Sequence, residues 1–179
     1  MTAGSHPFGP MQLPLQAELL RRYPRTFRLP SADGLESGRF GGFNERGVAC
    51  GDGWFSLIDK MATATEMEIE VLRRAGVDKS EWPRVVHIKE KRNTLRFRLA
   101  GLRFGALREC LVNVSEVESR CVCEHCGNAR SVRDDDRSTY CKACADIHVD
   151  LSAGANLPTL ADYAVHLARL REFLARGSP

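Results

Sequence analysis

Two Cys-x-x-Cys pairs, Cys123-Glu-His-Cys126 and Cys141-Lys-Ala-Cys144, lie fourteen residues apart and constrain this chain more than any other feature. Each pair makes a tight turn that aims two thiolates at one point. Two such turns brought together supply four soft donors in a tetrahedron, the geometry Zn²⁺ takes in closed structural sites. The spacer includes Arg133-Asp-Asp-Asp136-Arg137-Ser138, a polar run expected at an exposed tip. One structural Zn²⁺ on Cys123, Cys126, Cys141 and Cys144 is therefore expected. Cys121, His125 and His148 stand close enough in sequence to substitute for one of them. Four thiolates leave no open coordination position, so such a metal folds a module and does no chemistry. Two disulfides are the competing arrangement. Seven cysteines, an odd number, with four at metal spacing, favour a reducing cytoplasm as the expected location.

The rest of the 179 residues reads as α+β. Residues 1–10 are expected to be a disordered tail, 11–119 an α+β domain, 120–150 a zinc ribbon or knuckle, and 151–179 a terminal helix packed on the domain. Leu15, Leu19, Leu20 and Tyr23 share a helical face that Pro24 ends. The glycine-rich stretch from Ser31 to Gly51 has no period and reads as a long loop. Asp52 is expected to cap a long helix that buries Trp54, Leu57, Ile58, Met61, Thr65, Ile69 and Leu72 and stops at Gly76. Val85–Glu90 and Leu95–Leu99 alternate around a polar turn and read as an antiparallel hairpin. A helix over about 102–118 is expected to bury Leu107, Cys110, Leu111, Val114 and Val117. A capping box at Thr159 and Asp162 opens the last helix, with a stripe of Leu160, Tyr163, Ala164, Leu167, Leu170 and Leu174.

Charge is concentrated on the hairpin. Between residues 84 and 103 stand seven basic residues and one acid, Glu90. Alternation places Leu95, Phe97 and Leu99 on one face with Val86 and Ile88, and His87, Lys89, Lys91, Arg96 and Arg98 on the other. Such a face can track a phosphate backbone, although solvated basic sheet faces are commoner. The zinc segment argues the other way: residues 121–150 carry six acids against four basic residues, which favours a protein-facing or purely structural role. No enzyme constellation emerges. Cys50 lacks an evident base, with His87 the nearest in kind, and buried thiols are the commoner fate. Asp52, Asp59 and Glu90 do not fit the acid-spacer-lysine pattern of metal-dependent nucleases.

Taken in order, Tyr23-Pro24, Cys50-Gly-Asp-Gly-Trp54 with Leu57-Ile58, Lys89-Glu-Lys91 with Leu95-Arg-Phe97, and Cys123-Glu-His-Cys-Gly127 form a distinctive set over residues 15–146. The chain resembles a group of small uncharacterised bacteriophage and prophage proteins. It departs from them in having Arg92-Asn93-Thr94 where they often carry Phe-Gly-Gly, and Cys144 where they tend to carry histidine. The resemblance implies a phage or prophage context. By analogy with small accessory proteins of that kind, it implies a non-enzymatic protein that binds a bacterial host protein complex, such as defence or transcription machinery. Nucleic-acid binding through the hairpin is the alternative, and a nuclease the third.

Overall fold

The computed structural model describes residues 10–28, 43, 47–101, 106–130 and 138–152, together with 165, 168, 169, 172 and 175. The expected tail up to residue 9, most of the stretch from Ser31, the aspartate tip at 134–136 and the leucine stripe of the last helix lie outside the described residues. Among the described residues the architecture is α+β, with four α-helices and one three-stranded sheet.

Helix α1 spans Leu13–Arg22, with Pro14 in its first turn, where a missing amide is no loss. It buries Gln16, Ala17, Leu19 and Leu20, and Tyr23 is its C-cap. Gln16 is fully buried and makes itself useful there: its Nε2 donates to the Met11 carbonyl at 2.6 Å and its Oε1 accepts the Val48 amide at 3.1 Å. Val48–Ala49 is strand β1, which the reading of 31–51 as loop does not anticipate. Two residues carry no readable period, and β1 exists because it pairs in parallel with the next strand, Val48 against Ile88 and Ala49 against Lys89.

Helix α2, Phe55–Arg74, follows a 3₁₀ turn over Asp52–Trp54. Its buried face is the expected one: Leu57, Ile58, Met61, Thr65, Ile69 and Leu72, with Trp54 buried just ahead of it. Gly76 sits at φ +74°, Val77 N donates to Leu72 O at 3.0 Å and Gly76 N to Arg73 O at 3.2 Å. These two bonds make a left-handed glycine stop that satisfies the last free carbonyls. Asp52 does not cap this helix. Trp54 occupies its cap position and Gly51 that of the 3₁₀ turn before it, while Asp52 Oδ1 accepts the Gln12 amide at 2.8 Å, placing its charge at the N-terminal end of α1. Glu66 ties the turn after α1 to α2, accepting the Thr26 amide at 3.0 Å, Thr26 Oγ1 at 2.6 Å and Arg25 Nε at 2.7 Å.

Strands β2, Arg84–Lys91, and β3, Thr94–Ala100, form the hairpin and complete the sheet in the order β1-β2-β3. The turn is tighter than expected, because Lys91 still pairs with Thr94 and only Arg92 and Asn93 reverse the chain. Both have positive φ, 55° and 61°, the backbone that a two-residue hairpin loop needs to match strand twist. Arginine is poorly suited to that conformation. Arg92→Gly is expected to raise stability by about 0.5–1 kcal/mol, measured as a shift in urea midpoint at unchanged slope.

A bulge between Val85 and His87 changes the facing of β2. Val85 and Ile88 are buried, whereas Val86 is half-buried, so the expected pairing of Val86 with Ile88 on the core face is corrected to Val85 with Ile88. Alternation cannot show a bulge, since the extra residue is invisible in composition. The main core joins α1, α2 and the sheet through Leu19, Phe27, Phe43, Val48, Trp54, Ile58, Met61, Ile88, Leu95 and Phe97. A satellite cluster of Ile69, Leu72 and Trp82 closes the far end of α2.

Helix α3, Ala106–Glu118, packs on α2 and β3. Its expected buried face is corrected at Val114, 40% exposed, and Val117, 65% exposed, while Ser115 and, just past the helix, Ser119 are buried; Leu111 is half-buried, and the Leu107 and Cys110 side chains lie outside the described residues. Ser119 is buried for a polar reason. Its hydroxyl donates to Glu116 O at 2.6 Å and accepts the edge-strand Leu95 amide at 2.9 Å. Helix α4, Lys142–Ser152, begins within the second cysteine pair and runs through residue 150, where the sequence reading ends the zinc module. Among the described residues no helix is long and apolar enough to cross a membrane.

Candidate metal centre

The first cysteine pair sits on a knuckle closed by a bridge between Val122 and Ala129. Cys123 N donates to Asn128 O at 2.8 Å, and Gly127 N donates back to Cys123 O at 2.9 Å. The second pair lies at the start of α4. Ala145 N donates to Cys141 O at 2.8 Å, so Cys141 stands at the helix threshold and Cys144 in its first turn. The knuckle meets the segment leading into α4 through Glu124 N to Thr139 O at 2.9 Å and Arg130 Nη1 to Ser138 O at 2.6 Å.

The four sulfur atoms of Cys123, Cys126, Cys141 and Cys144 all lie within 4.8 Å of one another. Cys126 Sγ and Cys141 Sγ are 3.8 Å apart. Tetrahedral Zn²⁺ with Zn–S bonds near 2.3 Å requires sulfur separations of about 3.8 Å, so the donor set is compatible with a structural metal. Cys123 and Cys144 are buried, Cys141 is half-buried and Cys126 is exposed. The Cys144 amide, bonded to the Cys141 sulfur, holds that thiol down at about 7, and burial pushes the Cys144 thiol up. A cation at the centre of the cluster would favour thiolate at all four. Among the described residues these four cysteines are the one such cluster of ligating side chains. Cys121 and His125 stand outside it, both exposed, and the His148 side chain lies outside the described residues.

How the centre joins the core explains residues that the sequence leaves without a purpose. The Gly51-Asp-Gly53 turn is the seat of the knuckle. Gly53 N donates to Glu124 O at 2.8 Å, Gly51 N to Glu124 Oε1 at 2.9 Å, and Trp54 Nε1 to Val122 O at 3.0 Å. Thr139 Oγ1 donates to the other carboxylate oxygen of Glu124 at 2.6 Å, so both oxygens of this buried acid are engaged. The approach is closer than any side chain permits. A Cβ on Gly53 would lie 2.2 Å from Cys123 O and 2.4 Å from Gly127 N, and one on Gly51 would lie 2.4 Å from Glu124 O. Glycine is required at both for backbone proximity. Burial pushes the Glu124 carboxyl above its ordinary range, opposed by the bonds from Thr139 and Gly51. Truncation to alanine would strand the Gly51 amide, and Glu124→Ala is expected to cost about 1–3 kcal/mol. Glu124→Gln should stay near wild type in thermal melts, because its amide oxygen still accepts from Gly51 and its nitrogen can donate to Thr139.

The remaining candidates do not gather. Asp59 accepts from Tyr23 Oη at 2.7 Å and pairs with Arg22 at 2.7 Å, Asp52 is bonded to Gln12, and Glu90 Oε1 accepts the Asn93 amide at 2.7 Å. Cys50 is buried, and burial pushes its thiol well up, away from the thiolate a nucleophile needs. On the hairpin, register sets His87 against Arg98 and Lys89 against Arg96, so these four share a face. Arg96 is drawn off by an ion pair with Glu116 of α3, and the pair is three-quarters or more buried on each side. Lys91 and Arg98 are exposed. Comparison with protein-family models, with curated proteins and with solved structures returns no match.

Proposed function

We propose that this is a zinc-stabilised, non-enzymatic accessory protein of phage or prophage type that binds a protein complex of its bacterial host. One Zn²⁺ on Cys123, Cys126, Cys141 and Cys144 would fix the knuckle and α4 as a compact ribbon-like module. Four sulfur donors leave the ion no position for substrate, which supports a structural role.

The observation that carries the protein-binding reading is the surface beside the knuckle. Leu57 of α2, Val114 and Val117 of α3, and Val122 line an open groove of about 540 Å³ together with Asn113, Glu118 and Cys121. Val117 and Val114 project there at 65% and 40% exposure. A protein surface matches an apolar face of this kind; a phosphate backbone does not. The test is affinity capture from bacterial lysate with and without nuclease, run in parallel on wild type and on Val114→Glu/Val117→Glu. A protein complex retained after nuclease and lost with the double variant supports the reading. Capture indifferent to the two valines counts against it.

The in-register basic pairs of the hairpin favour a second reading, nucleic-acid binding through His87, Lys89, Lys91 and Arg98. Arg96 contributes less, being held by Glu116. Lys89→Glu/Lys91→Glu/Arg98→Glu is expected to reduce affinity for a single-stranded oligonucleotide at least tenfold and to flatten its salt dependence. Anisotropy titrations at two salt concentrations read both, and an unchanged slope would remove this reading.

A further inference from the structure

The four sulfurs differ in exposure, and the difference pairs them. Cys123 and Cys144 are buried, one from each Cys-x-x-Cys, and the accessible partners Cys126 and Cys141 are likewise one from each. Cys126 Sγ and Cys141 Sγ lie 3.8 Å apart, and a disulfide requires about 2.05 Å, so a small closure of the knuckle on the α4 threshold joins them. The accessible pair therefore bridges the two halves of the site. We propose that the centre is an oxidant-sensitive latch, in which peroxide links Cys126 to Cys141 and expels the metal.

Resting on the zinc reading above, the chemistry balances as two steps. The exposed Cys126 thiolate attacks a peroxide oxygen; the O–O bond breaks, leaving a sulfenic acid and one hydroxide. The Cys141 thiolate then attacks that sulfur; the S–O bond breaks, the S–S bond forms and a second hydroxide leaves. Two electrons pass from the two sulfurs to one peroxide. Only Cys123 and Cys144 remain as thiolates, and two donors do not hold Zn²⁺ in a closed site.

The structure also supplies the readout. Val122 and Glu124, on the same knuckle, receive hydrogen bonds from Trp54, Gly51 and Gly53. Loss of the metal loosens the knuckle on its seat, and the Trp54 indole N–H, bonded to Val122 O at 3.0 Å, reports it by fluorescence. Trp82→Phe removes the second tryptophan from the signal.

The experiment titrates the purified, zinc-loaded full chain with hydrogen peroxide, following zinc with a metallochromic dye and free thiols by labelling. The expected result is loss of about two thiols for each zinc released, a change in Trp54 emission, and recovery of both signals with thiol reductant and added Zn²⁺. Trypsin places Cys141 and Cys144 on separate peptides and keeps Cys121, Cys123 and Cys126 together on 121–130, within which fragment-ion sequencing assigns the linked sulfur. Peptide mapping should find Cys126 linked to Cys141. Cys121→Ser, which removes an exposed thiol outside the cluster, should give the same titration. A disulfide within either Cys-x-x-Cys, zinc retained by the oxidised chain, or dependence on Cys121 would overturn the latch while leaving the zinc reading intact. Purified protein without metal would overturn the zinc reading itself.

Discussion

Gly53→Ala will detach the metal knuckle from the core, and its cost should be the largest of any single methyl added to this protein. Glycine-to-alanine changes usually stabilise by about 0.4–1 kcal/mol where the backbone permits, by restricting the unfolded chain. The Gly53 backbone does permit alanine, since it is outside the left-handed region. The added carbon would nonetheless fall 2.2 Å from Cys123 O and 2.4 Å from Gly127 N. Both are backbone atoms of the knuckle, which cannot swing aside as a side chain would. Overpacking costs roughly 1–3 kcal/mol when side chains can adjust, and this site should reach or exceed the upper end. The Gly53 N to Glu124 O bond would be lost as well. Gly76→Ala is the comparison: nothing lies within 4 Å of its added carbon, so only the strain of φ +74° remains, about 1–2 kcal/mol. Chemical denaturation of both variants ranks them, and a Gly53→Ala protein as stable as wild type would show that the knuckle is not seated on this turn.

The proposed zinc site predicts the second large effect, on removal of the metal. Structural zinc in small peptides contributes roughly 10–16 kcal/mol of apparent binding free energy near neutral pH, far more than a knuckle of this size gains from its own buried side chains. Elemental analysis should find one zinc per chain. Cys123→Ser and Cys144→Ser, which alter the two buried sulfurs, should abolish retention and lower the melting temperature. A strong chelator should produce the same shift in the wild-type chain. The core of α1, α2 and the sheet has its own buried cluster and should keep its helical signal in part, giving a second transition at higher temperature. A single melt unaffected by chelator would contradict a structural metal.

The sequence showed the four cysteines that cluster, the buried face of α2 and the hairpin for one reason: each is written in local spacing. Cysteine pairs two residues apart, apolar residues at helical intervals and alternation around a polar turn all survive without knowledge of neighbours. What stayed hidden is non-local. Strand β1 is defined by its partner Ile88, and the Val85 bulge by the register it disturbs. Val114 and Val117 fit a helical stripe, yet α3 buries Ser115 instead, and the turn that follows it buries Ser119, whose hydroxyl accepts the edge-strand Leu95 amide. Asp52 has the residue type and position of a cap, and it serves another helix. The Gly-Asp-Gly turn was visible, but its need for glycine comes from the carbonyls of residues some seventy positions away. A pair of unassigned glycines beside a cysteine-rich segment is a signal worth heeding: metal knuckles present bare backbone, and bare backbone packs closely only on glycine.

The bond from Gly51 to Glu124 spans 73 residues. Everything between them, including α2, the hairpin and α3, lies within the loop that this bond closes. The cysteine-rich segment is thus a clasp that fastens the two ends of this strap to each other. Excised and transplanted, it would carry its four sulfurs but leave the Glu124 and Val122 acceptors without donors. A chimera that keeps the knuckle must also keep the turn at 51–53, however distant the two appear in the chain.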